Sequence, residues 1–232
     1  MIDVAANWRR VRARVDAAAA RVGRDPGSIR VVAAAKTKPV ELIARAAAAG
    51  VTDVGENYVQ EAADKAARIS VPVTWHLIGH LQRNKAARAV ELFSLIHTLD
   101  STALAVALAR HAERRGHTAR VLIEVNVGGE ATKSGVSPAA VEDLLTALAA
   151  ERWIEVDGLM AIPPPGPDSE AARPHFRRLR ELRDRLRRHT AANAPLRELS
   201  MGMSDDFEVA IEEGATLVRI GRAIFGERRK KS

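Results

Sequence analysis

Residues 196–226, LRELSMGMSDDFEVAIEEGATLVRIGRAIFG, contain a strand, a helix and a second strand. The apolar runs Leu196–Met201 and Leu217–Ile220 predict the two strands, because short runs of this kind are typical of buried β-structure. Between them, residues 205–213 predict a short helix, and Gly214 lies where that helix should end. A strand, a helix and a second strand in this order form the repeating unit of α/β proteins.

The same alternation continues along the rest of the chain. The predicted strands are Arg30–Ala35, Val51–Val54, Thr74–Ile78, Leu95–Leu99, Arg120–Val127, Glu155–Met160, Leu196–Met201 and Leu217–Ile220. The predicted helices lie near residues 39–49, 57–68, 83–92, 101–115, 138–150, 169–191 and 205–213, after an amphipathic helix over about residues 3–22. Eight strands that alternate with helices favour an α/β protein, a single compact (β/α)8 TIM barrel with an extra N-terminal helix. A doubly wound open sheet is the alternative that gives the same alternation.

The composition is that of a soluble globular protein, with 47% hydrophobic and 28% charged residues in a chain of 232. The absence of cysteine excludes a disulfide scaffold, a thiol nucleophile and a thiolate zinc site. The first residues do not resemble a secretory signal, and no apolar run reaches the length of about 20 residues that crosses a bilayer. We therefore expect a cytoplasmic protein without membrane association. It should form one domain over residues 1–232, with an N-terminal helix and turn over 1–25 and a basic tail over 227–232.

The formal net charge of +7 is concentrated in two places. Residues 173–189 contain eight arginines and two acidic residues, and the C-terminal tail adds four basic residues and one acidic residue. Within the first segment, apolar residues recur at helical spacing: Phe176, Leu179, Leu182 and Leu186. We predict a helix with one buried side and a solvated arginine face. Contact with RNA or an anionic surface is the alternative, but no recognition motif supports a nucleic-acid partner.

A lysine follows the first predicted strand directly. Lys36 comes after the small apolar run VVAAA, and barrel enzymes place their chemistry at the carboxyl ends of the strands. Partial burial favours the neutral amine of a lysine, which can attack an aldehyde or ketone. Lys36 is therefore a candidate for Schiff-base chemistry, and a rim lysine that extends into water is the alternative.

The loops after the last two strands form the usual phosphate site of a (β/α)8 barrel. Here they supply Gly202, Ser204, Gly221 and Arg222, which can offer backbone N–H groups, a hydroxyl and a positive charge. Arg219 lies inside the last strand, where it can form a structural ion pair or contact a ligand. A strand-end lysine, a phosphate cradle and an inward arginine together suit an aldehyde that carries a phosphate. Pyridoxal 5′-phosphate (PLP) fits this description, and so does a sugar phosphate in an aldolase.

Metal binding finds little support in the sequence. His76 and His80 are four residues apart, but they flank a predicted strand end and do not share a helical face. Asp205 and Asp206 are better interpreted as helix-capping residues. We therefore predict no metal site.

Six motifs together resemble one known family. They are VVAAAKTKP (31–39), GENYVQE (55–61), WHLIGHLQRNK (75–85), VNVGGEATKSGV (125–136), GLMAI (158–162) and ELSMGMSDDFEVAIEEGATLVRIGRAIFG (198–226). In this order they resemble the pyridoxal phosphate homeostasis proteins, the YggS- and PROSC-like family. The resemblance implies a single alanine-racemase-like barrel, the PLP-binding class known as fold type III.

The resemblance also implies a set of cofactor-binding residues, which are Lys36, Asn57, Ser204, Arg219, Gly221 and Arg222. Lys36 would form the internal aldimine with PLP, and Arg219 would face the pyridine nitrogen. Ser204, Gly221 and Arg222 would hold the phosphate, with the backbone N–H of Arg222 sufficient for its contact. Asn57 would line the cofactor.

The two uses of PLP, as a catalyst and as a cargo, differ in how the ring nitrogen is treated. An arginine partner is always charged, so it favours an unprotonated nitrogen and weakens the ring as an electron sink. Tyr58 is the only tyrosine, and we interpret it as a packing or surface residue rather than a second catalytic base.

The resemblance therefore implies a protein that captures PLP as a lysine aldimine and contributes to intracellular PLP (vitamin B6) and amino-acid homeostasis, without robust catalysis. A PLP enzyme with weak racemase or lyase activity is the alternative, followed by an aldolase. The expected partners are PLP itself and PLP-dependent apo-enzymes that receive it, and the chain is expected to be a monomer or a weak homodimer.

Overall fold

Eight parallel strands form a closed barrel in a computed structural model that describes residues 2–130 and 134–227. The strands are β1 (Arg30–Ala34), β2 (Asp53–Glu56), β3 (Thr74–Leu77), β4 (Leu95–Leu99), β5 (Ala119–Glu124), β6 (Ile154–Met160), β7 (Glu198–Ser200) and β8 (Leu217–Ile220). Each strand pairs with the next, and β8 pairs with β1. This closure confirms the predicted barrel and excludes an open sheet.

Helices follow the strands and surround the barrel. They are α1 (Val4–Arg21), α2 (Val40–Ala48), α3 (Val59–Ala66), α4 (Ala86–Leu92), α5 (Thr102–Arg115), α6 (Val141–Leu148), α7 (Arg173–Leu186), α8 (Phe207–Glu212) and α9 (Arg222–Phe225). The extra N-terminal helix is confirmed as α1, which packs against α2, α8 and α9. No helix within residues 2–130 and 134–227 has the length and apolar character needed to span a membrane.

Several predicted boundaries differ from the structure. The second strand begins at Asp53 rather than Val51, because pairing with the neighbouring strands starts only there. The fifth strand ends at Glu124 rather than Val127, since Val125 then pairs with Val136 in an isolated bridge. Helix α9 was not predicted, because four residues are too few to show a helical period.

Of the predicted basic tail, residues 228–232 lie outside the described part of the chain. The proposal that residues 1–232 form one domain stays a prediction.

The interior of the barrel has an apolar layer. Successive residues of a strand face opposite sides, and Val31 and Ala33 pack beneath the helices whereas Val32 does not. Val32 instead packs inside the barrel with four buried residues of other strands: Leu95, Leu122, Met160 and Leu217. The same alternation turns Arg219 inward, because its neighbours Val218 and Ile220 pack beneath the helices.

The arginine-rich helix α7 is amphipathic as predicted, with Phe176, Leu179, Leu182 and Leu186 buried. Its charged side is more than a solvated face. Arg173, Arg177 and Arg180 all contact the carboxylate of Glu213, at the end of α8. Three of the helix's arginines therefore tie two neighbouring helices together.

Candidate functional site

The carboxyl ends of the strands surround a cavity of about 440 Å³. All six residues predicted to bind a cofactor line this one cavity: Lys36, Asn57, Ser204, Arg219, Gly221 and Arg222. They come from the loops after β1, β2, β7 and β8, from β8 itself and from the first position of α9. The structure thus brings together residues that are far apart in the sequence, and their role in binding stays a prediction.

Lys36 lies in a sharply turned segment after β1, and its side chain is half-buried. The next residue, Thr37, has a φ of +62°, a left-handed conformation that is rare for a β-branched residue. The backbone N–H of Thr37 donates a hydrogen bond of 2.7 Å to Glu61 Oε1. This contact from α3 holds the turn that carries Lys36.

A buried cation, Lys65, contacts the backbone of the residue that precedes Lys36. Lys65 Nζ donates to the carbonyl oxygen of Ala35 at 2.8 Å, to Glu56 Oε1 at 2.6 Å and to Glu61 Oε1 at 2.7 Å. The second oxygen of Glu56, Oε2, is buried and has no hydrogen-bond partner among the described residues. Burial raises the pKa of Glu56 to about 7, although the hydrogen bond from Lys65 opposes this change.

The loop between β7 and α8 forms another wall of the cavity. Gly202 has a φ of +93°, and a Cβ atom on it would lie 2.5 Å from Ala210 Cβ, so only glycine fits this backbone. Ser204 Oγ accepts a hydrogen bond of 3.3 Å from the backbone N–H of Ala223. Asp206 occupies the predicted N-cap position of α8, but its side chain makes no capping hydrogen bond and instead accepts from Met203 N at 2.6 Å.

The loop after β8 lies close to the end of β1. A Cβ atom on Gly221 would lie 3.0 Å from the carbonyl oxygen of Ala34. The guanidinium of Arg222 pairs with Asp205 and, at 3.1 Å, with Glu227. A hydrogen bond from Arg222 to Asp205 raises the pKa of Arg222. Because its side chain is engaged in this way, Arg222 faces the cavity with its charge already balanced.

Lys38, two residues after Lys36, also lines the cavity. Its Nζ atom donates to the backbone oxygens of Phe225, Gly226 and Glu227 at 2.8–3.2 Å. Lys38 therefore ties the loop after β1 to the end of α9 and to the two residues that follow it.

Arg219 is the most deeply buried cation of the cavity, with 4% of the residue exposed. Its guanidinium donates to Ser200 Oγ at 2.6 Å and to the carbonyl oxygen of Ala161 at 3.0 Å. Burial lowers the pKa of Arg219 to about 10, while the charges of Asp206 and Glu124 oppose this change. The group therefore remains charged at neutral pH and is held by two neutral oxygens.

Asn57 follows β2, and its backbone carbonyl is in close contact with the loop after β3. A Cβ atom on Gly79 would lie 2.4 Å from the carbonyl oxygen of Asn57. The neighbouring Tyr58 is 61% exposed at the start of α3, so the structure supports a surface position for this tyrosine.

Comparison with known proteins identifies the family. The family model described as alanine racemase, N-terminal domain, matches residues 3–229. A pyridoxal phosphate homeostasis protein of Aquifex aeolicus is 45% identical over 221 residues, which cover 95% of this chain and 96% of that protein. One from Pseudomonas aeruginosa is 43% identical over 229 residues, covering 98% and 97%. The chain belongs to the pyridoxal phosphate homeostasis protein family.

A solved structure supports the same assignment. PipY of Synechococcus elongatus PCC7942, determined with PLP bound, is 36% identical to this member of the homeostasis family. The two structures agree with a TM-score of 0.80 over 92% of this chain and 100% of PipY. The predicted family and its alanine-racemase-like barrel are thereby confirmed.

The sequence analysis missed a group of polar residues inside the barrel of this homeostasis-family protein. Ser200, His97, His76 and Asp53 form a hydrogen-bonded chain that begins at Arg219. His76 was considered only as a metal ligand together with His80, which is exposed beside Asp100 instead. The available signal was a polar residue among buried positions of each of four strands, β2, β3, β4 and β7.

Proposed function

We propose that this chain binds PLP reversibly in the cavity at the carboxyl ends of the strands, with a covalent bond to Lys36. The observation that carries the proposal is the convergence of a strand-end lysine, a buried arginine and the β7 and β8 loops on one cavity. The volume of about 440 Å³ lies within the range of small-molecule sites.

The charges of the cavity suit an anionic ligand. Four cationic side chains line it, namely Lys36, Lys38, Arg219 and Arg222, against the two carboxylates of Asp205 and Glu227. The formal balance of these side chains is therefore positive. This fits the phosphate group of PLP.

The phosphate would bind to the loops after β7 and β8. Ser204 offers a hydroxyl, and Gly221 and Arg222 offer backbone N–H groups where glycine permits close approach. The guanidinium of Arg222 is already paired with Asp205 and Glu227. We therefore assign the contact at Arg222 to its backbone.

The aldehyde of PLP would react with the side-chain amine of Lys36. The neutral amine adds to the aldehyde carbon, a carbon–nitrogen double bond forms and one water molecule leaves, so the Schiff base reverts when water adds back. The contacts of Glu61 and Lys65 with the residues on either side of Lys36 fix the point from which its side chain starts.

The pyridine ring would lie against Arg219, whose positive charge at neutral pH favours an unprotonated ring nitrogen. PLP withdraws electrons most strongly when that nitrogen is protonated, so this arrangement supports storage better than robust catalysis. The exposed position of Tyr58 offers no second base in the cavity. We propose that the chain buffers PLP in the cytoplasm and releases it to PLP-dependent apo-enzymes.

Absorption spectroscopy with borohydride reduction tests the proposal. Protein with added PLP should show a visible band that reduction removes, and mass mapping should place the adduct on Lys36. Lys36→Ala should form no adduct at this position, whereas the control Lys85→Ala, which removes an exposed lysine outside the cavity, should behave as wild type. A wild-type protein that stays unlabelled, or an unchanged adduct in Lys36→Ala, would overturn the proposal.

The carrier role has its own test. The PLP-loaded protein is mixed with the apo form of a PLP enzyme, and the activity of that enzyme is followed. Recovery of activity supports release to a recipient. Lys36-dependent turnover of an amino acid by the chain itself would favour the enzyme interpretation instead.

A further inference from the structure

Five buried polar residues form a continuous chain of hydrogen bonds through the barrel interior, from β8 to β2. Arg219 Nη1 lies 2.6 Å from Ser200 Oγ, which lies 2.9 Å from His97 Nδ1. His97 Nε2 lies 2.9 Å from His76 Nδ1, and His76 Nε2 lies 2.9 Å from Asp53 Oδ1. Every member is at most 8% exposed.

The two ends of the chain determine how its hydrogen bonds point. A guanidinium can only donate, so Ser200 Oγ accepts from Arg219 and has its own proton left to donate. At the other end, a carboxylate can only accept. Burial raises the pKa of Asp53, but hydrogen bonds from His76 and Thr52 outweigh it and bring that pKa below its ordinary value. Asp53 is therefore ionised and accepts from His76 Nε2.

The two imidazoles complete a single order of donors and acceptors. Burial, together with the positive charge of Arg219, holds the pKa of His97 well below its ordinary value, so this ring is neutral. A neutral imidazole has one donor and one acceptor. Ser200 therefore donates to His97 Nδ1, and His97 Nε2 donates to His76 Nδ1.

The opposite order of donors and acceptors would satisfy the hydrogen-bonding groups less well. It would give Ser200 Oγ two donors and leave its own proton without an acceptor in the chain. It would also place protons on both nitrogens of His76, inside the barrel. The favoured order satisfies every group with one neighbour on each side, and all donors point towards Asp53.

We propose that Ser200, His97, His76 and Asp53 act as positioning residues for Arg219, and that they link its guanidinium to the negative charge of Asp53. This inference rests on the proposed function, in which Arg219 faces the pyridine nitrogen of PLP. The chain fixes the direction of the Nη1 donor, while the carbonyl of Ala161 fixes Nη2. The remaining donors of the guanidinium can then meet the ligand in one orientation.

The surroundings argue against a purely architectural role for these five hydrogen-bonded residues. On one side of them lies the apolar layer of the barrel interior, with Val32, Leu95 and Leu217, while Arg30 lies 4.0 Å from Asp53 at their far end. Apolar packing usually stabilises a core at least as well as buried charges do. Of the five hydrogen-bonded residues, Arg219 is the one that lines the cavity. The hydrogen bonds therefore connect the cavity to the carboxylate of Asp53 on the far side of the barrel interior.

Selective ¹⁵N labelling of histidine in wild-type protein, without PLP, tests the proposed order of hydrogen-bond donors and acceptors. NMR at neutral pH should find both His76 and His97 neutral, with the proton on Nε2 in each ring. A proton on Nδ1 of His97, or a charged ring, would overturn the proposed chain. This measurement does not depend on cofactor binding or on the folding of a variant.

Ser200→Ala tests the link to the cofactor, because it leaves Arg219 Nη1 and His97 Nδ1 without their common partner. We expect PLP to bind about tenfold more weakly and the absorption band of bound PLP to shift, while borohydride still traps the adduct on Lys36. Asp53→Asn, which changes a residue outside the cavity, should shift the band in the same direction. Ser200→Thr, which keeps a hydroxyl, should restore it.

Thr98→Val is the matched control. It also removes a buried hydroxyl. The hydrogen bond of this hydroxyl, 2.8 Å long, goes to the carbonyl of Gly79, which is not one of the five hydrogen-bonded residues. It should leave the band and the affinity unchanged. If Ser200→Ala and Asp53→Asn behave like this control, the positioning role is wrong although the proposed function stands. A wild-type protein that forms no PLP band would overturn both.

Discussion

Lys65 donates a hydrogen bond of 2.8 Å to the carbonyl oxygen of Ala35, the residue directly before Lys36. The same ammonium contacts the carboxylates of Glu56 and Glu61, so all three of its donors are used. A buried cation on α3 thus sets the backbone from which the candidate covalent lysine starts.

Lys65→Met should therefore disturb both stability and PLP capture. The substitution leaves a backbone carbonyl and two carboxylates without their buried donor, and we expect the free energy of unfolding to fall by about 3 kcal/mol. The rate at which borohydride traps PLP on Lys36 should fall as well. Urea unfolding and timed reduction measure the two effects.

The control is Arg68→Met, which removes an exposed cation whose guanidinium pairs with Glu41 at 3.4 Å and does not contact the carboxylates of Glu56 and Glu61. Both side chains of that pair are 64% exposed, so the loss should leave stability and trapping close to wild type. Equal effects of the two substitutions would show that the buried position of Lys65 has no special role.

Glu56 should make stability depend on pH. Burial raises its pKa from 4.5 to about 7 in the folded protein. A raised pKa means that the native state holds this proton more tightly than the unfolded chain does. The stabilisation is therefore complete below the unfolded-state pKa of 4.5 and is lost as the pH rises through about 7.

Glu56→Gln removes this titration. Between about pH 5 and about pH 8, wild type should lose about 2 kcal/mol more stability than the variant does, measured by urea unfolding at each pH. Glu41→Gln, an exposed change on α2, should keep the wild-type slope. Parallel slopes for wild type and Glu56→Gln would mean that Glu56 titrates normally in the folded protein.

The fold was largely predictable because its signal is local. Apolar runs and the helical stripes between them give the number and order of strands, as in α7, where the buried residues have the predicted spacing. Boundaries were less accurate where polar residues lie in the barrel. The predicted second strand ended at Val54, yet β2 continues to Glu56, which pairs with Leu77 of β3 and whose carboxyl group contacts Lys65.

The cavity residues were predictable for a different reason. A lysine after an apolar strand and glycines in the last two loops are visible as motifs, and the barrel brings such strand ends together. The series of hydrogen-bonded residues behind Arg219 could not be predicted from the sequence. His76 and His97 are 21 residues apart in the sequence, and the pairing of β3 with β4 places a nitrogen of one ring 2.9 Å from a nitrogen of the other.

Gly202→Ala tests how tightly the β7–α8 loop is packed. The position combines a φ of +93° with a Cβ that would lie 2.5 Å from Ala210 Cβ. We expect a loss of about 2–4 kcal/mol in the free energy of unfolding, together with weaker PLP binding.

Gly116→Ala provides the comparison. Gly116 also has a positive φ, +68°, but a Cβ there would meet no atom within 4 Å. Its loss should be about 1 kcal/mol, from backbone strain alone, and PLP binding should not change. The two variants would lose the same stability if the close approach to α8 did not matter.

Glu213→Gln tests the link between α7 and α8. Burial raises the pKa of Glu213, but hydrogen bonds from Arg177 and Arg173 outweigh it, so the folded-state pKa is lowered. The resulting stabilisation is present above the unfolded-state pKa and is lost as the pH falls through the folded-state value. Thermal unfolding of Glu213→Gln at neutral pH should show a loss of about 1–3 kcal/mol, which shrinks on acidification.

Glu170→Gln is the control for this pair of helices, since Glu170 contacts Arg173 from an exposed position. It should leave the unfolding temperature nearly unchanged. A loss equal to that of Glu213→Gln would attribute the effect to general surface charge rather than to the buried carboxylate.

Arg222→Ala tests whether the backbone rather than the guanidinium would hold the phosphate. The side chain is paired with Asp205 and Glu227, so its removal should change the dissociation constant for PLP by less than about threefold. Ser204→Ala removes a hydroxyl from the same loops and should weaken binding about tenfold. Titration of the PLP absorption band measures both constants. If Arg222→Ala weakens binding more than Ser204→Ala does, the guanidinium must leave its carboxylate partners to bind the phosphate, and the backbone assignment is wrong.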